Sequence, residues 1–150
     1  VDKRYHAIVC GRLPNDEGEI DAPIARHPVN RKLMSVQHGA NRNARTGWRV
    51  IEHLANSTLV DATLHTGRTH QIRVHFKYIG FPLAGDALYG TKATAQLAGD
   101  TGVRAERQML HARSLAFTHP RNDEQLSFEA AWPSDFERVL HELRNAKTNS

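Results

Sequence analysis

"TLHTGRTHQIRVHFKYIGFPLAGDALYG", Thr63 to Gly90, decides how the chain is read. Arg68, His70, Arg73 and His75 crowd together there, and a Pro/Gly corner follows. Ile72, Phe76 and Ile79 recur at i, i+4 and i+7, the apolar stripe of an amphipathic helix. Thr69 is the expected N-cap, with Gly67 or Thr66 as alternatives. Gly80 stands where a C′ residue belongs, and Pro82 blocks continuation. Arg73 follows Ile72 about 100° round the helix, which puts it at the rim of the buried face. A guanidinium near the positive end of the helix dipole attracts a carboxylate or a phosphate. An ordinary surface Arg paired with a stray acid fits the same spacing.

His65, His70 and His75 are five apart, whereas a helical ligand pair needs i, i+4. The chain has no HExxH, and Cys10 is its only cysteine, so a metal centre is not expected. Those histidines read as solvent-facing or backbone-bonded. One cysteine also excludes an internal disulfide, which makes a reducing cytoplasm the default compartment.

Working outward, "RYHAIVCGRL", "KLMSVQ", "WRVIEHL" and "STLVDATLHTG" read as strands, the last two joined at Ala55-Asn56-Ser57. The alternation over Trp48 to His53 is only partly of period two. "NDEGEIDAPI" is a turn leading into a short extended piece, and "HGANRNARTG" a long polar loop. "GDALYGTKATAQLAGDTGVRAERQ" reads as mostly loop. "MLHARSLAFTHP" and "EQLSFEAAWP" form a hairpin around "PRNDE". Ser134 or Asp135 then caps a last helix that buries Phe136, Val139, Leu140 and Leu143. The fold class is α+β, a mixed, largely antiparallel sheet with flanking helices.

A chain of 150 residues suits one domain. With 39% hydrophobic and 24% charged residues it is globular rather than disordered, and no apolar run approaches a membrane span. The net charge of +4 is weak support for a nucleic-acid partner, but its distribution says more. No acid lies between Asp21 and Glu52, where Arg42, Arg45 and Arg49 fall, nor between Asp61 and Asp86. Tyr5, in "DKRYHAIV", suits core or edge packing and also suits stacking on a base.

The block "LHTGRTHQIRVHFKYIGFPLAGDALYG" resembles the signature region of the RluA-type pseudouridine synthases. "DKRYHAIVCGRL" resembles their basic-Tyr strand, and "QMLHARSLAFTHP" with "LSFEAAWPSDF" resembles their closing hairpin and last helix. The resemblance runs from Lys3 to about Arg144 and implies the pseudouridine synthase catalytic-domain fold. It implies isomerisation of uridine to pseudouridine in structured RNA, ribosomal RNA first, with no cofactor and no metal. Arg73 matches the Arg that pairs with a nucleophilic Asp. Ile72 matches the apolar wall of the base, and Tyr5 the tyrosine against the flipped base. Arg68, His70 and Gln71 are expected beside Ile72 on the substrate, and Arg42, Arg45 and Arg49 on RNA phosphates.

The family's nucleophile lies in a motif like "HRLDxxTSG", and no Asp of this chain stands in that context. Asp86 in "GDALYG" matches a different family position and reads as a structural turn. Residues 1–150 are therefore expected to be the C-terminal portion of one catalytic domain, inactive alone, with the N-terminal half as a partner. The absence of an initiating Met fits a fragment or processed product. Self-association through an exposed core is a further expectation, and a non-catalytic RNA-binding module is the alternative reading.

Overall fold

A computed structural model describes residues 2–40, 43–65, 70–118, 125–129 and 131–146. Eight strands and three helices are defined among them: β1 (Asp2–Cys10), β2 (Glu17–Asp21), β3 (Ile24–Arg26), β4 (Met34–Val36), β5 (Arg45–Leu54), β6 (Ser57–Leu64), α1 (Gln71–Tyr78), α2 (Thr91–Thr101), β7 (Leu110–Thr118), β8 (Gln125–Glu129) and α3 (Ser134–Asn145). Six strands form one sheet in the order β2-β5-β6-β1-β7-β8, and β3 with β4 makes a separate hairpin. All the strand pairings are antiparallel. This is the expected α+β class.

β1 lies inside the sheet, between β6 and β7, and "AIVC" is covered on both faces. Ile8 and Cys10 join one apolar cluster with Leu97 of α2 and Phe136, Val139, Leu140 and Leu143 of α3. Ala7 and Val9 point the other way, into a cluster with Ile72 and Phe76 of α1. A doubly covered strand reads as a continuous apolar run, which is why "HAIVC" lacks alternation.

The broken alternation in β5 has a physical cause. Val50 pairs with Val60 and Glu52 with Leu59, so Ile51 is an extra, bulged residue. It is half exposed, and the residues after it change face.

Three local readings are corrected. The expected caps Thr66, Gly67 and Thr69 lie outside the described residues, and His70, in a left-handed conformation at φ 56, occupies the N-cap of α1. Residues 91–101 are helical rather than loop. That helix buries only Leu97, so it shows no apolar stripe to read. α3 starts one residue early, with Pro133 as N-cap; Asp135 instead pairs with Arg107. Its four expected core residues are buried.

The end of α1 follows the sequence. Gly80 takes φ 92, its N–H bonds to the Lys77 carbonyl at 2.9 Å, and the Phe81 N–H reaches the Phe76 carbonyl at 2.8 Å. These are the paired bonds of a Schellman cap.

Candidate active site

α1 is held from below by buried polar groups. Gln71, expected on the substrate, is instead buried at 2% exposure, and its amide N–H donates to the Arg45 carbonyl at 2.9 Å and to Thr46 Oγ1 at 3.1 Å. Thr46 Oγ1 meets His75 Nδ1 at 2.7 Å, and His75 Nε2 meets the Ala22 carbonyl at 2.9 Å. A carbonyl only accepts, so Nε2 carries the proton and Nδ1 accepts from the Thr46 hydroxyl. Burial pushes the His75 imidazole below its ordinary value and keeps it neutral, against the pull of the Ala22 bond and of Asp21.

Arg73 leaves the same helix on its exposed side, but its side chain is only 12% exposed. Its Nε donates to Asp86 Oδ2 and its Nη2 to Asp86 Oδ1, both at 2.8 Å. Asp86 is fully buried, and its Oδ1 also accepts the Leu88 and Tyr89 N–H groups at 3.0 Å. Burial alone would raise the Asp86 carboxyl; the guanidinium and the two backbone donors outweigh it and hold the group below the usual carboxylate range. The Arg73 pKa is raised in turn, chiefly by the Asp86 hydrogen bonds.

Arg73 thus has a carboxylate within the chain, a partner that sequence reasoning did not give it. The turn reading of Asp86 is also present in its two backbone bonds. Nothing in the 13-residue separation announces the pair, since it depends on the corner at Gly80–Gly85 folding back over α1.

Tyr89 was missed as well. The Arg73 guanidinium carbon sits 5.2 Å from the centre of its ring. Its hydroxyl accepts the Met34 N–H at 3.0 Å and meets His70 Nδ1 at 2.8 Å. Burial, then the Arg73 charge, lowers the His70 pKa against the pull of Asp86, and the net shift favours the neutral ring in its bond to the Tyr89 hydroxyl.

Tyr5 is half-buried on β1 and packs against the apolar cluster that contains Ile72, which is 4% exposed. Tyr5 and Ile72 thus share one apolar cluster, and Arg73 follows Ile72 on α1 with its guanidinium turned to Asp86.

Arg45 and Arg49 are exposed on β5, and Arg42 and Arg68 lie outside the described residues. Folding brings acids to this edge: Glu17 pairs in register with Arg49 and Asp21 with Arg45, and the Arg45 guanidinium is 3.7 Å from Glu19. Arg49 borders an open cleft of about 650 Å³ with Arg4, Asp61 and His65. Among the described residues no three His, Cys, Asp or Glu side chains are grouped to hold a metal, and no helix is long and apolar enough to cross a membrane.

Two human proteins of known structure share this architecture. RNA Pseudouridylate Synthase Domain Containing 1 superposes with a TM-score of 0.73 at 24% identity, over 99% of this chain and 68% of its own. RNA Pseudouridylate Synthase Domain Containing 4 gives 0.69 at 23%, over 99% and 64%. At those identities the likeness is one of fold.

Sequence relatives are nearer. The ribosomal large subunit pseudouridine synthase D of Nitrosomonas europaea is 46% identical over all of this chain and 43% of its own. An uncharacterized RNA pseudouridine synthase of Bacillus subtilis is 46% identical over 96% and 45%, and the Zymomonas mobilis pseudouridine synthase D 41% over 99% and 47%. The chain spans less than half the length of these relatives. The family profile described as RNA pseudouridylate synthase matches residues 1–78, from β1 to the end of α1. By that match the chain belongs to the RNA pseudouridylate synthase family, in its RluA-type group.

Proposed function

We propose that this chain forms part of an enzyme that isomerises uridine to pseudouridine in RNA, and that it supplies the Tyr5/Arg73 side of the active site. The observation that carries the reading is the state of Arg73. Two of its nitrogens are fixed on Asp86, while among the described residues Nη1 makes no hydrogen bond. That leaves an oriented, charged donor pair beside an apolar wall. Such a pair suits a second carboxylate, whose anionic form it would favour.

In this reading the carboxylate belongs to a nucleophilic Asp supplied by polypeptide outside these 150 residues, because no "HRLD" context occurs within them. That Asp starts the reaction, the N-glycosidic bond breaks, the base turns, and carbon 5 forms the new bond to the sugar. Ile72 walls the base. Tyr5 lies against it and takes part in removing the proton from carbon 5. Gln71 serves the site by holding α1 through Thr46 and the Arg45 carbonyl. The target base must leave its stack, at a cost of a few kcal/mol, and contacts to the RNA backbone by Arg42, Arg45 and Arg49, with Arg68 on the substrate beside Ile72, help to offset it. Ribosomal RNA is the substrate class that the names of the relatives favour.

The test is to incubate ribosomal RNA transcripts with the chain together with the N-terminal segment of a relative, and to map pseudouridine by carbodiimide labelling and primer extension. New stops that require both polypeptides support the reading. RNA that is bound but never modified by any such pairing would favour a binding module instead.

A further inference from the structure

We propose that Asp86 and Tyr89 are positioning residues for Arg73, so that the "GDALYG" corner sets the direction in which the guanidinium meets a reacting group. This rests on the role given to Arg73 above and assigns its aim to two further side chains. A guanidinium bound through Nε and Nη2 to one carboxylate is a planar fork whose remaining nitrogen, Nη1, points away from that carboxylate. The direction of Nη1 is then set by wherever Asp86 is held.

Asp86 is held firmly. Its side chain is fully buried and accepts four hydrogen bonds, two from Arg73 and two from the backbone of the corner. The residue before it is fixed by sterics. Gly85 adopts φ 82, and a Cβ there would lie 1.9 Å from the Arg107 carbonyl oxygen. With its oxygens so committed, Asp86 is an anchor rather than a nucleophile.

Tyr89 fixes the remaining freedom. Its ring lies beneath the guanidinium, and its hydroxyl ties the corner both to Met34 of β4 and to His70 at the start of α1. Movement of α1 against the hairpin would break those bonds before it re-aimed Arg73.

The deciding variant is Asp86→Asn. The Asn oxygen still accepts the Leu88 and Tyr89 N–H groups, but its amide N–H meets the Arg73 Nε–H donor to donor. In side-chain 15N spectra the wild-type Arg73 Nε–H is expected to exchange at least about tenfold slower than that of exposed Arg49, and Asp86→Asn should erase the difference. In the complemented enzyme kcat should fall about 100-fold while KM for RNA stays within about twofold, because RNA contacts lie elsewhere. Adding Asp86→Asn to Arg73→Lys should cost little beyond Arg73→Lys alone. A residue that merely shapes the turn would lower stability without this coupling.

Arg73 exchange untouched by Asp86→Asn, or an unchanged kcat, overturns the proposal. If the wild type makes no pseudouridine, the functional reading fails while the exchange data still decide the positioning. If the Asn variant does not fold, the wild-type spectrum decides alone: slow Arg73 exchange supports the anchor, and exchange as fast as Arg49 removes it.

Discussion

Replacing Asp86 with Ala removes four accepted hydrogen bonds together and leaves a mostly buried guanidinium without its counter-charge. The expected loss is about 3–5 kcal/mol, the cost of breaking one side of a buried ion pair. Urea denaturation measures it, and a loss below about 1 kcal/mol would mean that the pair is no more than a surface contact. His75 makes a second prediction at this scale. The folded chain keeps the ring neutral, whereas the unfolded chain takes up a proton near the ordinary value of 6.5. Stability from this group is therefore fully present above about 6.5 and falls as the pH drops below it, by up to about 1.4 kcal/mol per pH unit until the folded value is reached. His6 and His70 are lowered too, so His75→Gln should remove part of the slope. A urea midpoint that stays flat about two pH units below that value would contradict this. At this scale the sequence shows which residues carry charge near α1, but not their partners. Arg73 was legible as a poised cation; Asp86 was legible only as a turn, because the ion pair depends on a corner whose path no local spacing encodes.

Elements were legible in proportion to how strongly they are patterned. α1 and α3 each bury a stripe and were read from it. α2 is rich in Ala and Thr and fully buries one side chain, Leu97, so it carries no apolar stripe to read, and packing on the cluster beneath β1 helps to hold it. Leu97→Ala should cost about 2–5 kcal/mol and release the α2 amides to hydrogen exchange ahead of those of the sheet. Equal protection in α2 and in β1 would show that the helix has another anchor. The bulge at Ile51 explains why β5 was readable as a strand but not in its facing.

Across the whole molecule, charge that is segregated along the chain is partly mixed again in space. The acid-free run containing Arg45 and Arg49 folds against β2, which carries Glu17, Glu19 and Asp21. Changing Arg45 and Arg49 together to Ala tests whether they still hold phosphates. Each lost phosphate contact should reduce the slope of log affinity against log salt by about 0.7–0.9. An unchanged slope would leave RNA binding to other groups. The two hairpins β5-β6 and β7-β8 were readable because successive strands pair across short connections, whereas the placement of β1 between β6 and β7 and of β2 beside β5 was not. Tyr5, Ile72 and Arg73 were put in one site by the family resemblance alone; no spacing within the chain does so, since β1 and α1 meet only after β5 and β6 have intervened.

Tritium release from ribosomal RNA transcripts labelled at carbon 5 of uridine reads the proposed division of the active site between two polypeptides. The chain alone should release none, the chain with a polypeptide carrying an "HRLD"-type motif should release tritium, and Arg73→Ala should abolish that release. Release by the pure chain, or release undiminished by Arg73→Ala, would contradict the account.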